Sequence, residues 1–155
     1  MPKPVILAPA ERPAPLNAGG FMITVLLSQA DSGGPEMFHQ SGPEGSGPGP
    51  HFHPWDETFL VLQGEVTLGV GEQQTVATPG TLVHVPGDTT HWFHFGSGGG
   101  AVLAITSKGN AGAMFADYDT GINWSALDRK AVIAVAAKHG QTILDPDGSS
   151  PRGGK

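Results

Sequence analysis

The sequence predicts an all-β fold, a sandwich or barrel, with a short helical segment near its C-terminal end. Three observations carry this. Apolar runs rich in β-branched and aromatic residues recur at roughly 8–12-residue spacing. Gly and Pro, 24 and 14 of 155 residues, punctuate those runs, while only 14% of the chain is charged. Near residue 123 the alternating pattern gives way to a helical one. The length suits one domain with a core of its own.

Residues 1–20 form a Pro/Ala-rich N-terminal extension with a short candidate strand at Val5–Leu7. FMITVLLS (21–28) reads as a strand, bounded by Gly-Gly before it and a polar Gly-rich turn after it. EMFHQ (36–40) is a weaker strand. SGPEGSGPGP (41–50) reads as a loop whose prolines and glycines exclude regular pairing. ETFLVLQ (57–63) has the character of a buried strand. EVTLGV and QQTVA form a hairpin, and TPG (78–80) turns the chain into TLVHV. PGD (86–88) separates that strand from HWFHF (91–95), and GSGGG (96–100) leads into AVLAITS, so the barrel spans 21–107. The segment 108–145 is helical over 123–140: Ser125 is the expected N-cap, Leu127, Val132, Val135 and Ala136 the apolar stripe, His139 a last-turn residue favoured by the dipole, and Gly140 the C′ residue. Residues 146–155 are expected to be a flexible tail.

Several classes are excluded at this level. A net charge of −6 and eight scattered basic residues offer no stripe for a phosphate backbone, so no nucleic-acid partner is expected. No apolar run approaches a membrane span, and VILAPA is too short for a signal-peptide core, which reads as a soluble cytoplasmic protein. The absence of cysteine removes disulfides, thiolate ligands and cysteine nucleophiles together.

HFHPWDETFLVLQG (51–64) carries the chemistry. Read as strand, His51, His53 and Glu57 share a parity with Phe59 and Val61, so the polar face continues into a core face. Buried there, two imidazoles and a carboxylate need a counter-group, and a divalent cation is one. One strand cannot surround an ion. His91 has the parity of Phe93 and Phe95 and offers the fourth ligand, whereas His94 falls on the opposite face with Trp92. Trp55 is placed on the other face of the first segment, to pack at an interface or lid. His39 is read as an exposed or edge histidine, and His84, alternating with Val83 and Val85, as facing away from the core.

These two segments resemble the paired motifs of the cupin superfamily. GPGPHFHPWDETFLVLQG is similar to the first, with His51, His53, Glu57 and Gly64 in place; PGTLVHVPGDTTH is similar to the second, with Gly80, Pro86 and His91 in place. Asp88 stands where the second motif usually has glycine, and Phe95 where it often has asparagine. The resemblance implies a double-stranded β-helix (jelly-roll, cupin barrel). It implies metal ligands His51, His53, Glu57 and His91, and one divalent transition ion: Fe, Mn, Ni, Co, Cu or Zn. The tail resembles small single-domain bacterial cupins related to quercetin 2,3-dioxygenase. The implied activity is a dioxygenase-like oxidoreductase acting on a flavonol or other enolisable small molecule, with Glu57 doubling as the general base. The alternatives are a metal-assisted isomerase or lyase, in which the ion is a Lewis acid only, and a non-catalytic small-molecule-binding cupin. Such barrels commonly pair through an edge strand or an exchanged N-terminal segment, so a homodimer using FMITVLLS is expected.

Overall fold

A computed structural model describes residues 1–150. Eleven strands among them make two antiparallel sheets that face each other. The six-stranded sheet runs β1 (Leu16–Asn17), β2 (Met22–Leu27), β3 (Glu36–Gly42), β10 (Gly100–Thr106), β5 (Glu57–Gln63) and β8 (Leu82–Val85) in spatial order. The five-stranded sheet runs β11 (Thr142–Ile143), β4 (His51–Phe52), β9 (His91–Phe95), β6 (Val66–Val70) and β7 (Gln73–Ala77). This is the expected all-β jelly roll.

Alternation decides what each strand buries. Phe59 and Val61 on β5, Phe93 and Phe95 on β9, Val66 and Leu68 on β6, and Phe38 on β3 point between the sheets and are 0–2% exposed. Their aromatic rings meet edge to face, Phe59 on Phe93 and Phe93 on Phe95, each pair with centroids 5.4 Å apart.

Several expectations need correction. Val5–Leu7 forms no strand: Pro4 withholds a donor, and Ile6 is 95% exposed with nothing to pack on. EMFHQ is a full central strand, extended to Gly42 and paired on both sides with β2 and β10. The 41–50 loop is not free of pairing. Phe95 N–H donates to Ser46 O at 2.9 Å, and Gly45 N–H to Phe95 O at 2.8 Å, so the loop lies along β9 as an irregular extra strand. Gly47 makes that approach possible, because a Cβ there would run into the Phe93 carbonyl.

The single helix expected over 123–140 is two helices. α2 (Ala111–Gly121) is an addition to the expected elements, and α3 begins only at Arg129 and ends at Lys138. Asp128, not Ser125, caps α3, accepting Lys130 N–H at 2.9 Å. Leu127 therefore precedes the helix and is 64% exposed instead of contributing to its apolar stripe. Gly140, with φ +92°, does end the helix as expected. A single turn, α1 (Gln29–Ser32), capped by Ser28, is a second addition. Residues 145–149 close a hydrogen-bonded turn, and the tail expected over 146–155 lies from residue 151 outside the described residues.

Candidate metal centre

His51 does not reach the site on the same strand as Glu57. The parity reading takes 51–61 as continuous, but Pro54 and Trp55 break the strand. His51 belongs to β4 in one sheet, Glu57 opens β5 in the other, and His53 sits in the crossing between them. The parity still matches because both flanking strands turn the same set inward. Loop 43–50, held along β9, delivers His51 directly opposite His91 in the sheet register.

Two turns clamp each other behind the histidines. Asp88 N–H donates to His53 O at 2.7 Å, and Gly87 N–H to Asp56 Oδ1 at 2.8 Å. Asp88 adopts φ +61°, the left-handed region, which gives a physical reason for glycine at this motif position. Asp is among the residues that tolerate it.

The four residues converge. One candidate donor atom from each of His51, His53, Glu57 and His91 lies within 4.8 Å of every other, and all four side chains are buried. His53 Nε2 and His91 Nε2 stand 3.0 Å and 3.1 Å from the same oxygen, Oε2 of Glu57. On each ring the other nitrogen meets a backbone carbonyl. Nδ1 of His51 donates to Gly49 O at 2.7 Å, that of His53 to Trp55 O at 2.9 Å, and that of His91 to Thr89 O at 2.8 Å. A carbonyl only accepts, so Nδ1 carries the proton and the neutral ring presents a lone pair at Nε2.

Those lone pairs and the carboxylate oxygen point at one another and need a positive charge among them. Three neutral imidazoles and one carboxylate, each imidazole oriented by an outer carbonyl, suit a divalent first-row transition ion. The donor set therefore fits the expected cofactor, a divalent transition metal. Burial depresses the His51 pKa to about 3, helped by nearby His91, and so keeps that ring neutral. At Glu57 burial works to raise the pKa. The imidazoles of His53 and His91 beside it outweigh that and hold the carboxyl well below its usual range.

The remaining histidines stay out of the cluster. His39 is half-buried on the outer face of β3, His84 is exposed and bonds Thr58 Oγ1 at 2.8 Å, and His94 stacks on Trp92 outside the barrel. His139 pairs with Asp117 at 2.6 Å. Trp55 departs from its expected place. It shares the parity of His53 and Glu57, is 4% exposed, and stacks on the His53 ring at 4.3 Å and 8°.

A cavity of about 240 Å³ opens from His51, His53 and Glu57 and runs between the sheets. Its walls include Phe59 and Phe93, as expected, but much of the rest comes from segments that sequence reasoning does not place there. α2 supplies Met114, Phe115 and Tyr118; the C-terminal stretch supplies Arg129, Gln141 and Ile143; β3 supplies Gln40. The parity of Gln40 with Phe38 is a readable signal. β11 is not readable, since two residues carry no periodicity, yet it pairs with β4 and sets Ile143 opposite His51.

Residues 38–106 match the family described as Cupin domain. A quercetin 2,3-dioxygenase of Bacillus subtilis (strain 168) is 30% identical over 84 residues, covering 53% of this chain and 25% of that protein. The chain thus spans about a quarter of the length of the curated relative it matches. Among solved structures, an RmlC-like cupin from Shewanella frigidimarina superposes with a TM-score of 0.63 at 18% identity, covering 73% of this chain and 99% of that one. KdgF from Halomonas sp. gives 0.61 at 16% identity, covering 67% and 94%. Among the described residues, no helix is long and apolar enough to cross a membrane. Two facing antiparallel sheets, both histidine motifs inside the matched segment, and a buried three-histidine, one-carboxylate cluster between those sheets make the matched segment, residues 38–106, a cupin domain.

Proposed function

We propose that the chain is a metal-dependent enzyme of dioxygenase type that acts on a flavonol or another enolisable small molecule. The observation that carries this is the placement of the cluster: three imidazole Nε2 atoms and one carboxylate meet at one end of an apolar cavity. His51, His53, Glu57 and His91 would hold one divalent ion: Fe, Mn, Co, Ni, Cu or Zn. Bound there, such an ion supplies Lewis acidity toward a substrate hydroxyl and a site for dioxygen chemistry. Glu57 holds the second role: its carboxylate faces the cavity and takes the proton of the substrate hydroxyl. Phe59, Phe93 and Trp55 exclude water and offer flat faces to a planar substrate. The backbone carbonyls behind His51, His53 and His91 keep the rings oriented. The similarity to a quercetin 2,3-dioxygenase supports the substrate class.

The same proposal takes 21–107 as the barrel, with 1–20 and 108–145 as flanking segments that complete its wall. It includes a homodimer. β2 pairs with β1 only over Met22 and Ile23, which leaves the rest of that edge open to a second copy.

The test is dioxygen uptake by protein loaded with the ion it carries on isolation, offered a flavonol and, separately, a small enediol. Uptake matched to substrate loss is expected. Glu57→Gln keeps three imidazoles and an oxygen donor, so it should retain ion and lose turnover. Turnover without dioxygen uptake would assign the site to Lewis-acid isomerase or lyase chemistry instead. Binding without any turnover would leave a non-catalytic cupin.

A further inference from the structure

Three polar side chains that line the cavity, Gln40, Tyr118 and Gln141, make no side-chain hydrogen bond among the described residues, although each is 3–8% exposed. Their polar atoms open onto the cavity and are not sealed in the core, where Thr106 Oγ1 is the buried atom without a partner among the described residues, so these groups are free to bond whatever the cavity receives. Gln40 is the most informative because the sheet register fixes where it stands. Glu57 on β5 is level with Thr106 on β10, and Thr106 with Glu36 on β3. Gln40 is four residues further along β3, and with a strand rise of ~3.3 Å per residue it sits on the order of 13 Å from the level of Glu57. β10 lies between their strands, so two strand spacings of ~4.8 Å separate them sideways as well. The lining between them is aromatic: Phe59, Phe93 and Phe21.

The cavity also has no free charge apart from the metal cluster. Arg129 lines it, but its guanidinium donates to Leu144 O at 3.0 Å and to Asp145 Oδ1 at 2.8 Å. A ligand bearing its own carboxylate or phosphate finds no unpaired cation there.

Resting on the proposed function, we propose that Gln40 is a specificity-determining residue: it hydrogen-bonds a hydroxyl at the far end of an uncharged, flat, elongated substrate whose enolisable oxygen pair lies at the His51–His53–Glu57 end. The ligand class is a neutral polyhydroxylated aromatic enol with two polar ends. The carboxamide can both donate to and accept from a phenol, while the aromatic lining carries the rings between.

Anaerobic binding to metal-loaded protein tests this with two probes: 3-hydroxyflavone, which has the enolic head and no distal hydroxyl, and quercetin, which has both. The expected result is about tenfold tighter binding of quercetin by the wild type, the size of effect when a buried polar group is left unpaired. In Gln40→Leu that preference should collapse to within about twofold, with metal content per chain unchanged as the check on folding. If Gln40→Leu fails to fold, the comparison of the two probes on wild-type protein decides: equal affinity overturns the proposal. A preference that survives Gln40→Leu also overturns it, whatever the turnover. Preference lost in the variant, but no dioxygen uptake by the wild type, supports the role of Gln40 and sinks the dioxygenase reading alone. Binding of neither probe overturns the role of Gln40 and leaves the dioxygenase reading to the enediol assay.

Discussion

Glu57 lies between His53 and His91 at the end of the barrel cavity, and Asp117 lies between His139 and Lys138 where α2 meets α3. The pairings are similar in length: 3.0 and 3.1 Å in the first, 2.6 and 2.9 Å in the second. Their surroundings are not. The first set is 2–7% exposed by side chain and includes a third imidazole, and backbone carbonyls orient all its rings. In the second, Lys138 is 68% exposed, Asp117 37% exposed, and the charges already neutralise one another. Histidine next to carboxylate is therefore not itself a metal site. What sets the barrel cluster apart is that lone pairs are oriented toward a shared, buried point at the end of a cavity.

The largest effect should come from taking a ring out of the inner cluster. His91→Ala is expected to cut metal affinity by more than the ~10–100-fold that loss of an outer-sphere partner brings, and protein isolated without added metal should carry almost no ion by elemental analysis. Asp117→Asn, the matched change in the outer cluster, should leave metal content at the wild-type value.

Next in size is the layer that supports the cluster. Phe59 follows Glu57 by two residues on β5, is 2% exposed, and packs on Phe93 and the His91 ring. Phe59→Ala should cost about 3–5 kcal/mol in denaturant unfolding. A loss below about 1 kcal/mol would contradict its place in the core.

The cluster and its supporting layer are also where the amino-acid sequence is most legible. His51, His53, Glu57 and His91 stand out because period-two alternation places them with Phe59, Phe93 and Phe95, and burial of that face demands a partner. Continuity is what misleads: the alternation that reads as one strand spans a crossing from one sheet to the other at Pro54. Trp55 is misplaced by that reading although it shares its parity with His53. The cavity wall is mostly illegible. β11 is two residues long, α2 lacks a strong apolar stripe, and contacts such as Phe38 with Phe115 join segments 77 positions apart in sequence, which no local pattern encodes.

Acidity separates the clusters by window. His51 titrates near 3 in the folded chain against an ordinary value of 6.5, so between those limits the unfolded chain binds the proton and the folded chain does not. Stability of the metal-free protein should therefore fall as pH drops from about 6.5 toward about 3, read as a falling melting temperature. Asp117 is held below its ordinary 3.8 by hydrogen bonds from Lys138 and then His139, so its contribution is present above 3.8 and is lost only at lower pH. A decline between pH 6 and 5 that His51→Phe abolishes and Asp117→Asn does not would assign that window to the barrel.

The smallest expected effect lies in the turn behind His53. Asp88→Gly relieves the left-handed backbone but frees the unfolded chain, so the unfolding midpoint should move by less than about 1 kcal/mol in stability. Asp88→Val, with a β-branched side chain at φ +61°, should lose about 1–3 kcal/mol and weaken metal retention, because the Asp88 N–H holds the His53 carbonyl.

The most direct test of the metal centre is a crystal structure of protein purified without added metal, with an anomalous difference map collected at the absorption edge of whichever transition ion elemental analysis finds. The account predicts one strong peak about 2.0–2.3 Å from Nε2 of His51, His53 and His91 and from a Glu57 carboxylate oxygen. A map with no peak there, or with its peak at Asp117 and His139 instead, would contradict it.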